Sequence, residues 1–147
     1  VKLVAAEREH VADLAARMRE WDVIECRAMG RSPADALQDG LSRSLWALTA
    51  LVDGKPEAML GVVPRVMIEG TGVPWMLGTE AVYGGAREFV RFGPAIISEM
   101  EWSFPVLSNM VAAGNERAIR FLKHWGWRIS SKRVCVGGVD FVEFSNV

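Results

Sequence analysis

Between Val106 and Ser130 the chain changes its hydrophobic period twice, and few folds accommodate that. Val106 to Val111 is an apolar run of strand length. The stretch that begins at Asn115 then places Ala118, Ile119, Leu122 and Trp125 along one side of a short helix. Gly126 stops this helix, and Trp127 opens another strand that runs to about Ser130. A strand, a short helix and a strand in such close succession require a sheet with helices laid on it. Asn is among the best N-capping residues, so the helix start at Asn115 is explicable without any ligand.

The rest of the chain extends the same layout. Lys2 to Ala5 reads as a first strand. Glu7 to Trp21 is helical, with Val11, Leu14, Ala15, Met18 and Trp21 on one face, and Asp22 to Met29 continues as a second helical piece that ends at Gly30. Ser32-Pro33 restarts a helix with N-cap and first-turn chemistry, running to about Ser44. Ser44 to Val52 and Ala58 to Val63 form a hairpin around Asp53-Gly54, and Val66 to Ile68 after Pro64 reads as extended. Pro74 to Leu77 is a fourth strand. Gly84-Gly85 opens a long helix with a buried stripe of Phe89, Phe92, Ile96, Ile97 and Met100, broken or kinked just before Pro94. Gly137-Gly138 turns the chain into a last strand from Val139 to Phe144. The order predicts a single α/β domain over residues 1–147, a mixed sheet of about six to seven strands flanked by helices.

Composition narrows the function classes. A chain of 147 residues that is 50% hydrophobic and 24% charged buries a substantial core without staples. Its formal net charge of −1 gives no electrostatic case for nucleic acid or an anionic membrane. Cys26 and Cys135 stand far apart without metal-ligand spacing, and two buried thiols in a reducing compartment are expected. No apolar run reaches membrane-spanning length and no segment reads as a signal peptide, so a cytoplasmic location is expected.

The joint spacing of Asn115, Ala118, Gly126 and Trp127, with Gly84 and Ala86 upstream in order, resembles the GNAT superfamily of N-acetyltransferases over nearly the whole chain. The resemblance implies a sheet splayed at a cofactor cleft, acetyl-coenzyme A as cofactor, and an amine as acceptor. It also implies that Asn115 and its helix flank the pantetheine arm. The family's phosphate loop, Gln/Arg-x-x-Gly-x-Gly/Ala, is matched by Ala81-Val-Tyr-Gly84-Gly85-Ala86, which keeps the Gly-x-Ala half and has Ala81 in place of Gln or Arg. A glycine-opened helix N-terminus offers unpaired amides to phosphate. Gly84, Gly85, Ala86, Arg87, Asn115 and Ala118 are therefore the implied cofactor-binding residues, and Arg91 follows Arg87 at helical spacing. A glycine-initiated helix with solvated arginines is the plainer alternative for this loop.

Acetyl transfer to an amine needs a base for the amine proton and an acid for the leaving thiolate. Glu80, at the end of the fourth strand, is the best-placed base. Asp22 and Glu25 lie in the region that resembles the family's acceptor-binding helices. For all three, a solvated or capping carboxylate is the structural alternative. The family usually places a proton-donating Tyr seven residues after the Asn; that place is Leu122 here, and the sole tyrosine, Tyr83, lies in the phosphate loop. His10 and His124 have no partners at metal or nucleophile spacing, and no metal is expected. The six tryptophans read as core.

A narrower resemblance adds to this. Ser32 to Leu37, Pro74 to Thr79, Leu107 to Asn109 and Ile119 to Lys123 look like segments of the small GNAT-like proteins of tailed bacteriophages, among them an internal virion protein that acts in particle assembly. It implies a phage or prophage origin, phage structural proteins as partners, and a virion-associated assembly role as the alternative to catalysis in the host cytoplasm.

Overall fold

The computed structural model describes residues 1–84 and 86–147, with Ala86 described by its backbone only. The described strands form one sheet in the order β1 (Lys2–Ala5), β2 (Trp46–Val52), β3 (Lys55–Val66), β4 (Thr71–Gly78), β5 (Val106–Ala112), β7 (Val139–Ser145) and β6 (Arg128–Val136). Every neighbouring pair is antiparallel except β4 and β5. Helices cover both faces. On one lie α1 (Glu9–Ala16), α2 (Glu20–Ala28) and α3 (Pro33–Arg43), packed around Met59, Trp75 and Leu77. On the other lie α4 (Ala81–Gly84), α5 (Ala86–Val90), α6 (Gly93–Ser103) and α7 (Glu116–His124), packed with Leu60, Val62 and Met76. Successive strand residues point to opposite faces, so Met59 and Leu60, or Trp75 and Met76, serve two different cores. That is why Ala58 to Val62 is apolar without alternation and buried throughout.

Local chemistry accounts for most boundaries. The Ser32 hydroxyl accepts the Asp35 amide at 3.1 Å, and Pro33 fills the first turn of α3. Asp53 and Gly54 both adopt positive φ, 51° and 78°, the geometry of a tight hairpin turn. Pro94 enters the first turn of α6, where its missing N–H costs nothing, and the helical run is interrupted after Val90 as the sequence predicts.

Five expectations need correction. The first helix stops at Ala16, not Trp21, because Arg19 is extended (φ −64°, ψ 151°), and α2 begins at Glu20. Pro74 lies inside β4 instead of opening it, and β3 runs on to Val66, with Met67 and Ile68 in the turn. The last hairpin is longer than expected, since β6 extends to Val136. Its polar Ser130 to Arg133 segment forms an exposed edge with irregular register between Ile129 and Arg133. Cys135 sits on that edge and is exposed, whereas Cys26 is buried; both are free thiols.

Gly40 sets how closely α3 approaches the sheet. A Cβ there would lie 2.7 Å from Cζ2 of Trp75, whose indole N–H donates to the Ser44 hydroxyl at 2.7 Å. Gly40→Ala is therefore expected to destabilise the fold by about 1–3 kcal/mol through overpacking. An unchanged melting temperature would mean that α3 can slide away from Trp75 at no cost.

Candidate active site

The site begins where the sheet fails. β4 and β5 pair only at Thr71–Val106 and Gly72–Leu107, and beyond that they splay. Pro74 supplies a local reason. Its carbonyl accepts from Asn109 of β5 at 2.8 Å, so the backbone groups of this residue face β5. The amide proton that proline lacks is thus one the β4–β5 ladder would have used. By strand alternation the N–H and C=O of Met76 and Gly78 face the same opening.

Side chains take up the backbone groups left by the split, as buried polar groups require. Asn109 also accepts the Met110 amide at 2.7 Å, so this one amide side chain stitches both strands just past the last ladder pair. Two carboxylates one turn apart on α2 take the far ends. Asp22 accepts the Gly78 amide of β4 at 2.9 Å, and Glu25 accepts the Ala112 amide of β5 at 2.8 Å. The Arg19 amide donates to the Gly78 carbonyl at 2.9 Å. Helix α2 thereby clamps the mouth of the split from one face.

Arg19 and Asn115 tie the clamp together. The Arg19 guanidinium donates to Asp22 at 2.9 Å, to Glu80 at 3.3 Å, and through both terminal nitrogens to Oδ1 of Asn115 at 3.2 Å. Nδ2 of Asn115 donates to Glu25 at 3.3 Å. Asn115 is fully buried and its side chain makes no capping bond to α7. It occupies the N-cap position, yet it works as a hub between α2 and β5.

Burial dominates the electrostatics. Desolvation pushes the Glu25 carboxyl up to about 7, against the lowering effect of the Ala112 amide. It pushes Asp22 up to about 6, partly offset by the Gly78 amide and by Arg19. Burial likewise raises the Tyr83 hydroxyl, so that it stays protonated at any physiological pH. Cys26 is pushed up to about 12 by burial, which keeps it a thiol and removes it as a nucleophile.

A cavity of about 430 Å³ passes through the split. Cys26, Met29, Trp75 and Arg43 line its α2–α3 side, and Tyr83, Ala118, Phe121 and Leu122 line its α7 side, with Asp22, Glu25 and Asn115 between. Tyr83 stands edge-on to Phe121 at 5.6 Å, with the Arg19 and Arg117 guanidinium groups 4.6 and 5.2 Å from its ring centre. An apolar void of about 40 Å³ adjoins the cavity beside Leu122 and Trp125. Among the described residues no group of three or more His, Cys, Asp or Glu is placed to hold a metal ion.

The fold superposes on solved N-acetyltransferase structures over nearly the whole chain. Ribosomal-protein-alanine N-acetyltransferase from Brucella melitensis superposes with a TM-score of 0.70 at 14% identity, covering 100% of this chain and 99% of that one. The GNAT domain of S. lividans PAT gives 0.64 at 16% identity, covering 97% and 89%. This chain has the GNAT fold. Spermidine N-acetyltransferase from Vibrio cholerae, solved in complex with CoA and spermine, gives 0.65 at 13% identity, covering 98% and 93%. No family model and no curated protein sequence matches the chain.

Within the GNAT fold, the residues singled out in the sequence fall into two groups. Asn115, Ala118, Asp22, Glu25 and Leu122 converge on the cavity. Glu80 does not line it: the carboxylate is exposed and bridges Arg19 at 3.3 Å and Arg117 at 3.1 Å, so both its oxygens are engaged by guanidinium groups. Gly84 is the last described residue of α4, which begins at Ala81, so helix already precedes the glycine pair. The amides of Val82, Tyr83 and Gly84 donate to the Thr79 and Glu80 carbonyls, and Gly84 is exposed with nothing within 4 Å of where a Cβ would lie. Arg87 is exposed on α5; Gly85 and the Ala86 side chain lie outside the described residues. Sequence reasoning missed Arg19 and Asn109. Neither carries a local signal, because their partners lie up to 96 positions away.

Proposed function

We propose that this protein transfers an acetyl group from coenzyme A to an amine across the β4–β5 split. The observation that carries the reading is the cavity running through the sheet, with buried proton-exchanging groups in its wall. The cavity suits a pantetheine arm, since it is largely apolar and edged by the Met76 backbone groups that strand alternation turns into the opening. Ala118 and Asn115 would flank the arm. At the diphosphate end, the described amides of residues 82–84 are already hydrogen-bonded, so the exposed Arg87 side chain would hold the phosphates. Bound there, the thioester would supply the acyl group to be transferred.

The chain's own residues would handle the protons. Glu25 lies at the cavity wall and titrates near neutrality, which suits a group that takes a proton from an ammonium acceptor. Asp22, held by Arg19 and the Gly78 amide, keeps negative potential beside it. Tyr83 holds a proton at its hydroxyl on the α7 side, in the cavity that Leu122 also lines, and would substitute for the donor absent at position 122. Titration calorimetry with coenzyme A and acetyl-coenzyme A, followed by thiol release over an amine panel, tests the assignment. Absence of binding by both compounds would remove it.

A proton donor is the point at which two variants diverge. Tyr83→Phe is expected to slow transfer by roughly 10²-fold or more while leaving cofactor affinity within a few-fold. Leu122→Tyr is expected to fold, because Leu122 is only partly buried and borders two cavities, and to recover part of the rate in the Tyr83→Phe background. Equal rates for wild type and Tyr83→Phe would assign the donor role to water.

The second reading is a phage-encoded virion-assembly protein on the same fold, with phage structural proteins as partners and no turnover. Leu122, Ala81 and the engaged amides at residues 82–84 favour it. Cofactor binding without transfer to any amine of the panel would select it.

A further inference from the structure

Five side chains with formal charge line the cavity, and most are neutralised within the chain. Asp22 pairs with Arg19 at 2.9 Å, and Arg31 pairs with Asp39 at 3.5 Å. Glu25 and Arg43 make no ion pair among the described residues. Glu25 takes the Ala112 amide at the end of β5, whereas Arg43 adjoins Ser44, whose hydroxyl holds the Trp75 indole. Glu25 is half-buried and, among the described residues, accepts from the Ala112 amide and Asn115 alone. Arg43 is the exposed last residue of α3, at the rim. Apolar surface separates them: the Trp75 indole, fixed by its bond to Ser44, with Val63 and Val73 beside it.

We infer that the acceptor is an amphoteric amine, with its ammonium directed to Glu25, an apolar stem along Trp75, and an anionic group at Arg43. A cation at the Glu25 end is favoured because a half-buried, desolvated carboxylate without an ion pair gains from an opposite charge. An anion at the rim is favoured because Arg43 presents a planar fork that matches carboxylate. A simple alkylamine would leave Arg43 unused, and a polyamine would bring a second positive charge against it. The geometry therefore selects against the diamine class of acceptors.

The inference deepens the proposed transfer, but its test reads binding and does not depend on turnover. Aminohexanoate, hexylamine and diaminohexane share one stem length and differ only at the far end. Calorimetric titration of the wild-type protein should rank aminohexanoate first and diaminohexane last, with roughly two- to fivefold between neighbours, the size of one exposed ion pair. Arg43→Glu should invert that order and Arg43→Gln should flatten it. Position 43 is exposed, so both variants are expected to fold, and the wild-type series stands on its own if one does not. The ranking without any acetyl transfer would retain the acceptor site and remove the transferase reading. Equal affinities, or diaminohexane binding best to wild type, would overturn the inference whatever the turnover.

Discussion

Replacing Glu25 by Gln should lower acyl transfer by roughly 10²–10⁴-fold, the usual contribution of a general base, and should make the protein more stable at pH 8. The two effects share one cause. Gln keeps an oxygen for the Ala112 amide and for Asn115, so the fold loses no hydrogen bond to that oxygen, but it cannot take a proton. The stability effect follows from the raised carboxyl, which titrates near 7 in the folded chain against about 4 when unfolded. As pH rises from about 4 to 7, the unfolded chain releases this proton before the folded one does. The folded state is therefore penalised progressively, and the penalty is complete above about 8. Asp22, pushed up to about 6, adds in the same direction over a lower window. The Gln variant escapes the Glu25 share, a gain on the order of a few kcal/mol at pH 8 that vanishes near pH 4. Wild-type transfer should correspondingly rise with pH through about 7 as Glu25 becomes able to accept protons. Denaturant titrations at both pH values and a pH–rate profile check the pair of effects. A variant that keeps wild-type turnover sinks the role given to Glu25, even if its stability rises as expected.

The second large effect concerns Asn115. An Asn that only caps a helix costs about 1 kcal/mol when truncated. Here truncation removes two acceptor contacts for the buried Arg19 guanidinium and one donor to Glu25. Hydrogen bonds to charged groups contribute about 1.5–3 kcal/mol each, and the buried partners are left unsatisfied. Asn115→Ala is expected to cost about 3 kcal/mol or more, a fall in melting temperature of roughly 6–12 °C for a domain of this size. Asn115→Asp separates positioning from packing. It preserves the acceptor for Arg19 but sets a second carboxylate against Glu25, so the pH–rate profile should move to higher pH while stability falls less than in the Ala variant. A cost near 1 kcal/mol for the Ala variant would return Asn115 to the role of a helix cap.

These effects also mark how far the site was legible beforehand. Asn115 and Ala118 were singled out by motif spacing, and the structure puts both on the cavity. Asp22 and Glu25 were placed near the acceptor region with a capping role as the alternative, and they do cap, but strand ends and not helices. The i, i+3 spacing that aims both at one split is visible in sequence; the strand amides they meet are not. Glu80 was favoured for its position at a strand end, a criterion blind to Arg19 and Arg117, which claim its oxygens. The glycine pair at 84–85 was taken as a helix start because glycine commonly punctuates helices. The Thr79 and Glu80 carbonyls already begin a helical turn ahead of Gly84, and Gly85 lies outside the described residues.

The sequence by itself determined the element types, the turns and the two-sided burial of the sheet. Each of these depends on neighbouring residues: Ser32-Pro33 starts a helix, Asp53-Gly54 reverses a strand, Pro94 breaks a helix, and Ala58 to Val62 is apolar on both faces. Even the split has a local origin, since Pro74 cannot donate toward β5. Tertiary structure alone decided what fills that split. The Arg19–Asp22–Asn115–Glu25 network joins residues up to 96 positions apart, and no local propensity encodes a contact over such a separation. Burial then raised two ordinary carboxyls toward neutrality, because desolvation depends on everything packed around a group and not on its neighbours in the chain.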